Sequence, residues 1–228
     1  MPWSIRIMHM SLFEKLERII TPQSNLLLLL LVSSFVFITP FFPPDMAHFI
    51  GQVLFSLIFF ISIFALDKVK RTMWLFAVLA FITEWTANWV NLPVFYYVST
   101  IVNIAFFQVI VIMLIIQIAK SPKSDASVIF EAINGYLMMG LMFTSWVAIA
   151  MQYDPNSFSF YPGETKIIDY AYFTFVTMTT LGYGDVTPQL PYARSLSILI
   201  STAGQIYVAV IIAMLVGKYA GAAGSKQE

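Results

Sequence analysis

The chain has 228 residues, 59% of them hydrophobic and 11% charged, with twelve basic residues balancing twelve acidic ones and no cysteine. A mean hydropathy of +0.81 is more apolar than a soluble domain can bury, which places the chain in a bilayer. Balanced charge offers no global field for nucleic acid or an acidic substrate, and the lack of cysteine removes disulfides, thiolate catalysis and thiolate metal sites.

At the N-terminus, Trp3 to Ile20 patterns as an amphipathic helix, with Leu12, Phe13, Leu16, Ile19 and Ile20 on one side and Glu14, Lys15, Glu17 and Arg18 on the other. Such a helix lies on the inner leaflet, and residues 1–22 form a unit of their own. A signal peptide with Leu26 to Ile38 as its apolar region is the competing reading, but no small-x-small cleavage site follows.

Six apolar segments then follow, roughly residues 24–42, 48–66, 72–91, 96–119, 128–151 and 192–217, each long enough to span. Proline and charge mark the junctions: Pro40 to Asp45, Asp67 to Arg71, Asn91 to Pro93 and Lys120 to Lys123. This divides the chain into a peripheral four-helix unit at 23–120, a second unit at 121–219 and a short tail at 220–228. The fold class is all-α integral membrane. Six crossings put both termini on one side, together with Arg6, Lys15, Arg18, Lys68, Lys70, Arg71, Lys120, Lys123, Lys218 and Lys226, against only Lys166 and Arg194 opposite. That bias assigns the termini to the cytoplasm of a multi-pass protein in the cell membrane.

Within the third segment Glu84 falls near the bilayer middle, counting about 1.5 Å per residue from Arg71. Gln108 falls at a similar depth on the fourth segment, and Asn88 is level with Asn103. A membrane-embedded carboxylate is a functional candidate because its ionised form is costly there. Glu84, Asn88, Asn103 and Gln108 are therefore expected to form a polar cluster linking the third and fourth helices. Two readings of it are open: structural glue or a proton sensor. The fourth segment has no Lys, Arg, Asp or Glu between Tyr96 and Ala119, so it lacks the charges that steep voltage dependence requires. His9 and His48 are too far apart to suggest a metal site, and Trp74, Trp85, Trp89 and Trp146 read as interfacial anchors.

Between the fifth and sixth segments, Gln152 to Pro191 re-enters the membrane without crossing it. Ile168 to Met178 is the length of a short helix with Asp169 in its first turn, where a carboxylate suits the dipole. Thr177-Met178-Thr179-Thr180-Leu181-Gly182-Tyr183-Gly184-Asp185 follows. A strand of threonine-x-glycine-aromatic-glycine can replace the hydration shell of K⁺ with backbone carbonyls. Gly182 and Gly184 permit the alternating conformations that this needs. One chain supplies one such strand, so a closed ring needs four copies. Asp185, with Glu164 and Asp169, would draw cations to the outer mouth.

Here the chain resembles the tetrameric potassium channel superfamily, over roughly Ser127 to Tyr219. Asp169 to Asp185 is similar, without gaps, to the pore loop of voltage-gated potassium channels. The resemblance implies a homotetramer in lipid, a pore domain at 121–219, and K⁺ held by Thr180, Leu181, Gly182 and Tyr183, with Gly184 completing the filter and Thr179, Asp185, Tyr172 and Phe173 supporting it. Leu181 stands for the commoner valine. Tyr172 and Phe173 stand where that family usually has paired tryptophans, and Phe173 cannot donate a hydrogen bond. Gly204 falls at the family's gating hinge, although close helix packing would equally call for glycine. Residues from Gly204 to Tyr219 look more like the small prokaryotic pore-domain channels.

The implied function is passive, K⁺-selective conduction without an arginine voltage sensor, with permeant K⁺, no organic cofactor, no nucleic-acid partner and no small-molecule substrate other than ions. About ten residues follow the sixth segment, too few for a regulatory domain. A weakly selective cation channel and a potassium transporter subunit are the alternatives. An enzyme is disfavoured, since no nucleophile-base pair, metal cluster or phosphate loop is evident.

Overall fold

The computed structural model describes residues 23–66, 71–90, 92–120, 126–160 and 167–224, with side chains except at 44, 45, 48, 88, 126, 127 and 218–224. The amphipathic N-terminal segment expected at Trp3 to Ile20 lies outside these residues, as does Glu164. The order of elements is α1 (Ser24–Ser33), α2 (Pro44–Phe64), α3 (Arg71–Val90), α4 (Pro93–Lys120), α5 (Ala126–Tyr153), β1 (Phe158–Ser159), α6 (Ile167–Met178), β2 (Thr187–Pro188) and α7 (Pro191–Gly224). Three helices begin on proline, whose fixed φ and missing N–H suit a first turn. After α1 the chain loosens into a π-turn at Ser34–Ile38 and a tighter turn at Thr39–Phe41.

Four stretches among the described residues are long and apolar enough to cross a membrane: Ser24–Phe41, Pro93–Lys120, Val128–Tyr153 and Pro191–Gly217. The apolar part of α2 is shorter, Phe49–Phe64, and α3 is diluted by Thr83, Glu84, Thr86 and Asn88. At about 1.5 Å per residue, the 21 residues of α2 and the 20 of α3 are nevertheless roughly as long as a hydrocarbon core is thick.

The peripheral helices pack around phenylalanines. Phe59 meets Phe106 edge-on with centroids 5.1 Å apart, and Phe55 meets Phe59 and Phe107 at 5.1 and 5.2 Å, also edge-on. Tilted and T-shaped pairs suit the ring quadrupole and add to the area they bury. Ser24 Oγ donates to Phe64 O at 2.9 Å, tying the start of α1 to the end of α2.

Helix α5 is the hub, touching α1, α4, α6 and α7. It lies against α4 along a long contact within the same chain. By contrast, α7 leaves Ile198, Leu199, Ile206, Ile212 and Val216 more than half exposed.

Candidate functional site

Helix α6 runs into the Thr-Leu-Gly-Tyr-Gly strand, whose backbone alternates in hand. Thr180, Gly182 and Gly184 have φ of 61°, 53° and 81°. Glycine enters this region freely, but a β-branched residue there is an outlier costing about 1–2 kcal/mol. Sequence reasoning assigned the alternation to the two glycines and missed that Thr180 shares it. The strand is braced on the helix before it: Thr180 N donates to Thr177 O at 3.0 Å and Gly182 N to Val176 O at 3.2 Å.

Behind the strand, Tyr172 Oη donates to Asp185 Oδ2 at 2.6 Å. A hydroxyl thus spans from α6 to the residue after the last filter glycine. Phe173 is buried and serves differently, packing 4.8 Å from Phe158 and within the same aromatic group as Phe160 and Tyr170. Phe158 sits on β1, which pairs antiparallel with β2 so that Phe158 faces Pro188 and Ser159 faces Thr187. Ser157 O accepts from Gln189 N at 2.9 Å, and Ser157 Oγ shares a hydrogen bond of 2.7 Å with Tyr192 Oη. The segment leaving α5 is thereby stapled to the segment leaving the filter.

Gly204 of α7 lies against the end of α6. A Cβ there would collide with the Met178 carbonyl oxygen and come within 2.5 Å of Met178 Cγ. The same carbonyl accepts long hydrogen bonds from Gln205 Nε2 (3.4 Å) and Tyr136 Oη (3.5 Å). Helix α7 continues through Gly204, so the geometry calls for glycine by close approach. Leu181 and Tyr183 are 55% and 67% exposed, and Thr179 is also exposed, with its hydroxyl donating to Phe175 O at 2.7 Å.

In the peripheral helices, Glu84 Oε2 accepts from Asn103 Nδ2 at 2.7 Å and from Ser99 Oγ at 2.8 Å. Glu84 and Asn103 are brought together, and Ser99 joins them. Gln108 is a correction: it is exposed on α4, whereas Asn103 is buried on that helix. Its depth matches, but five residues turn a helix by about 140° from Asn103. The Asn88 side chain lies outside the described residues. Glu84 borders a cavity of ≈ 570 Å³ that also reaches the turns after α1, helices α2, α4 and α5, and the first turn of α6, where Asp169 lines it.

A second polar group went unread in the sequence. Asn25 Nδ2 donates to Glu131 Oε1 at 3.3 Å, and Asn134 Nδ2 donates to Asn25 O at 2.7 Å, joining α1 to α5. Glu131 is 7% exposed and Asn134 wholly buried. The available signal was a carboxylate inside an apolar segment with an amide three residues on, which a helix places on the same face.

Comparison with known proteins bears on the second half of the chain. Residues 137–220, from within α5 through α6 and the filter strand into α7, match the family model described as an ion channel. Over 88 residues the chain is 34% identical to two pore potassium channel c of Oryza sativa subsp. japonica, a match covering 38% of this chain and 18% of that protein. The chain thus spans less than a fifth of that relative. These two similarities liken the second half of this mostly helical chain to ion-channel proteins.

Proposed function

We propose that the protein is a potassium-selective channel that conducts K⁺ passively through a pore shared by four copies. The observation that carries this reading is the recurrence of positive φ at every second residue, Thr180, Gly182 and Gly184. A strand whose backbone alternates in this way turns successive carbonyls toward one side, as rings of K⁺-coordinating oxygens require. Thr180, Leu181, Gly182 and Tyr183 would supply those oxygens, with Gly184 closing the strand and Tyr172, Phe173, Thr179 and Asp185 holding it. The exposure of Leu181, Tyr183 and one side of α7 is consistent with a surface that other copies complete. The C-terminal end of α6 carries partial negative charge toward the inner end of the strand.

Six crossings with both termini cytoplasmic in the cell membrane are part of the same reading, carried by the lengths of α2 and α3 and by the distribution of Lys and Arg. Without charge between Tyr96 and Ala119, α4 carries no arginine voltage sensor. The decisive experiment is current through purified protein in planar bilayers with K⁺ on one side and Na⁺ on the other. A reversal potential near the K⁺ equilibrium value with shallow voltage dependence is expected. Reversal near zero would mean a weakly selective cation pore, and no current would return the chain to a transporter subunit.

A further inference from the structure

We infer that the peripheral helices of each copy pack on that copy's own α5 when copies assemble, so that neighbours exchange no helices. Exchange of an identical element is a general route to assembly, and here it would seat α4 of one copy on α5 of the next. The inference rests on the four-copy reading only in asking which chain covers α5 once copies meet.

Helix α5 leaves no lane for a neighbour's helix. The nine residues from Leu137 to Ser145 are all buried, and at about 3.6 residues per turn they pass every azimuth of the helix twice. The cover comes from the chain itself: α1, α4, α6 and α7 all lie against α5, with α4 making the most extensive contact. A helix enclosed on every side by its own chain has no stripe left to offer a second copy.

Polar ties hold this cover in place. At the outer end, Tyr97 Oη donates to Gln152 O at 2.6 Å and Gln152 Nε2 donates to Thr100 Oγ1 at 3.0 Å. Nearer the start of α5, Asn25 Nδ2 donates to Glu131 Oε1 at 3.3 Å, fixing α1 to the same helix. Such bonds are part of what associates helices in a bilayer, where apolar surface gains little by being covered.

The connection between α4 and α5 is also short. The six Cα steps from Lys120 to Ala126 reach about 22 Å at full extension. To leave α5 for a neighbour, α4 would have to sit beyond at least one intervening helix, two interaxial distances of about 8–10 Å away. That leaves almost no slack, whereas a short link is what joins antiparallel neighbours.

Packing within one chain gives each peripheral unit its own filter to act on. Gln152, which α4 grips, is the penultimate residue of α5. The segment beyond it is held through Ser157 to Gln189 and Tyr192, past the filter strand. What remains for a neighbouring copy is the outward side of α7, where Ile198, Thr202, Ala209 and Ile212 are exposed.

The test uses the full chain, which has no native cysteine. Thr100→Cys and Gln152→Cys are placed either in one chain or on two co-expressed chains with different tags. Mixed assemblies are captured on both tags, reconstituted in lipid nanodiscs and treated with a short bifunctional thiol reagent. In the doubly substituted chain, a link between the two positions is expected at the mass of a single chain on a denaturing gel, with loss of both free thiols. The mixed single variants are expected to give no linked dimer. A linked dimer from the mixed assemblies, or no link in either preparation, would overturn the inference. If Thr100→Cys or Gln152→Cys fails to assemble, Asn25→Cys with Glu131→Cys gives the same readout for α1. Failure of the two tags to co-purify would instead end the four-copy reading, and a link within the doubly substituted chain would still uphold the packing.

Discussion

Replacing Gly204 with alanine sets two effects against each other, and the structure decides the sign. In a helix interior alanine is favoured over glycine by about 1 kcal/mol, so an unconstrained position, hinge or not, would become more stable. Here the new methyl meets Met178 at a backbone oxygen and at Cγ 2.5 Å away, whereas ordinary contact begins at 3.4 Å. Because the obstructing atom is backbone, relief requires α7 to move off α6 by close to an ångström. Overpacking of that kind costs about 1–3 kcal/mol, leaving a net loss of up to about 2 kcal/mol once the helix gain is subtracted. The displacement would also stretch the bonds that Gln205 and Tyr136 make to Met178 O, already 3.4 and 3.5 Å long. Gly204→Ala is therefore expected to melt earlier in detergent, followed by loss of the assembled peak on size exclusion, and to carry less K⁺ current. A variant that melts at or above the wild-type temperature would refute the close-packing argument and return Gly204 to the role of a hinge.

Tyr172→Phe keeps the ring but removes the hydroxyl that meets Asp185. Hydrogen bonds to charged groups are worth about 1.5–3 kcal/mol, so single-channel open times should shorten roughly tenfold or more with the K⁺ over Na⁺ reversal unchanged; unaltered open times would exclude Tyr172 as a brace. Glu84→Ala should destabilise by about 1–3 kcal/mol, because it leaves the buried Asn103 and Ser99 short of an acceptor. Asn103→Ala should cost about 1 kcal/mol, because it removes one donor from the half-buried Glu84. Their double-mutant cycle should give coupling of at least 0.5 kcal/mol. Gln108→Ala, on an exposed site, should stay within about 0.5 kcal/mol of wild type, and strong coupling of Gln108 to Glu84 would count against the described geometry. Asn134→Ala removes the donor to Asn25 O and should cost about 1–3 kcal/mol in thermal unfolding; a neutral result would show that this tie between α1 and α5 is replaced by water.

What the sequence made legible is governed by locality. The filter strand and the helix before it are contiguous, so their residue types state their geometry directly, down to the glycines at Gly182 and Gly184. Depth in a bilayer is also local arithmetic, and it levelled Glu84 with Gln108 and Asn88 with Asn103 across two helices. Azimuth is not, because it depends on which face α4 turns toward α3, and Gln108 was misjudged for that reason. The tie from Tyr172 to Asp185 joins residues thirteen apart, and its donor is a hydroxyl standing where the resemblance draws attention to an absent indole. The pairing of β1 with β2 is harder still to foresee. Two-residue strands have no periodicity to read, and their register is set by an aromatic group gathered from α6 and the segment after α5.

The placement of polar groups in the peripheral helices also limits how those helices can act. One tie, Glu84 with Ser99 and Asn103, joins α3 to α4; another, Asn25 with Glu131 and Asn134, joins α1 to α5. Between them stands the phenylalanine group of α2 and α4. A field of 100 mV acts with about 2.3 kcal/mol on each elementary charge that crosses it, and α4 offers none between Tyr96 and Ala119. No comparable electrical force is available to slide α4 along α5, and each tie resists with a cost of about 1–3 kcal/mol if broken. On the proposed reading, control of the pore through a chemical difference in binding between two states fits these ties better than movement of α4 in the field.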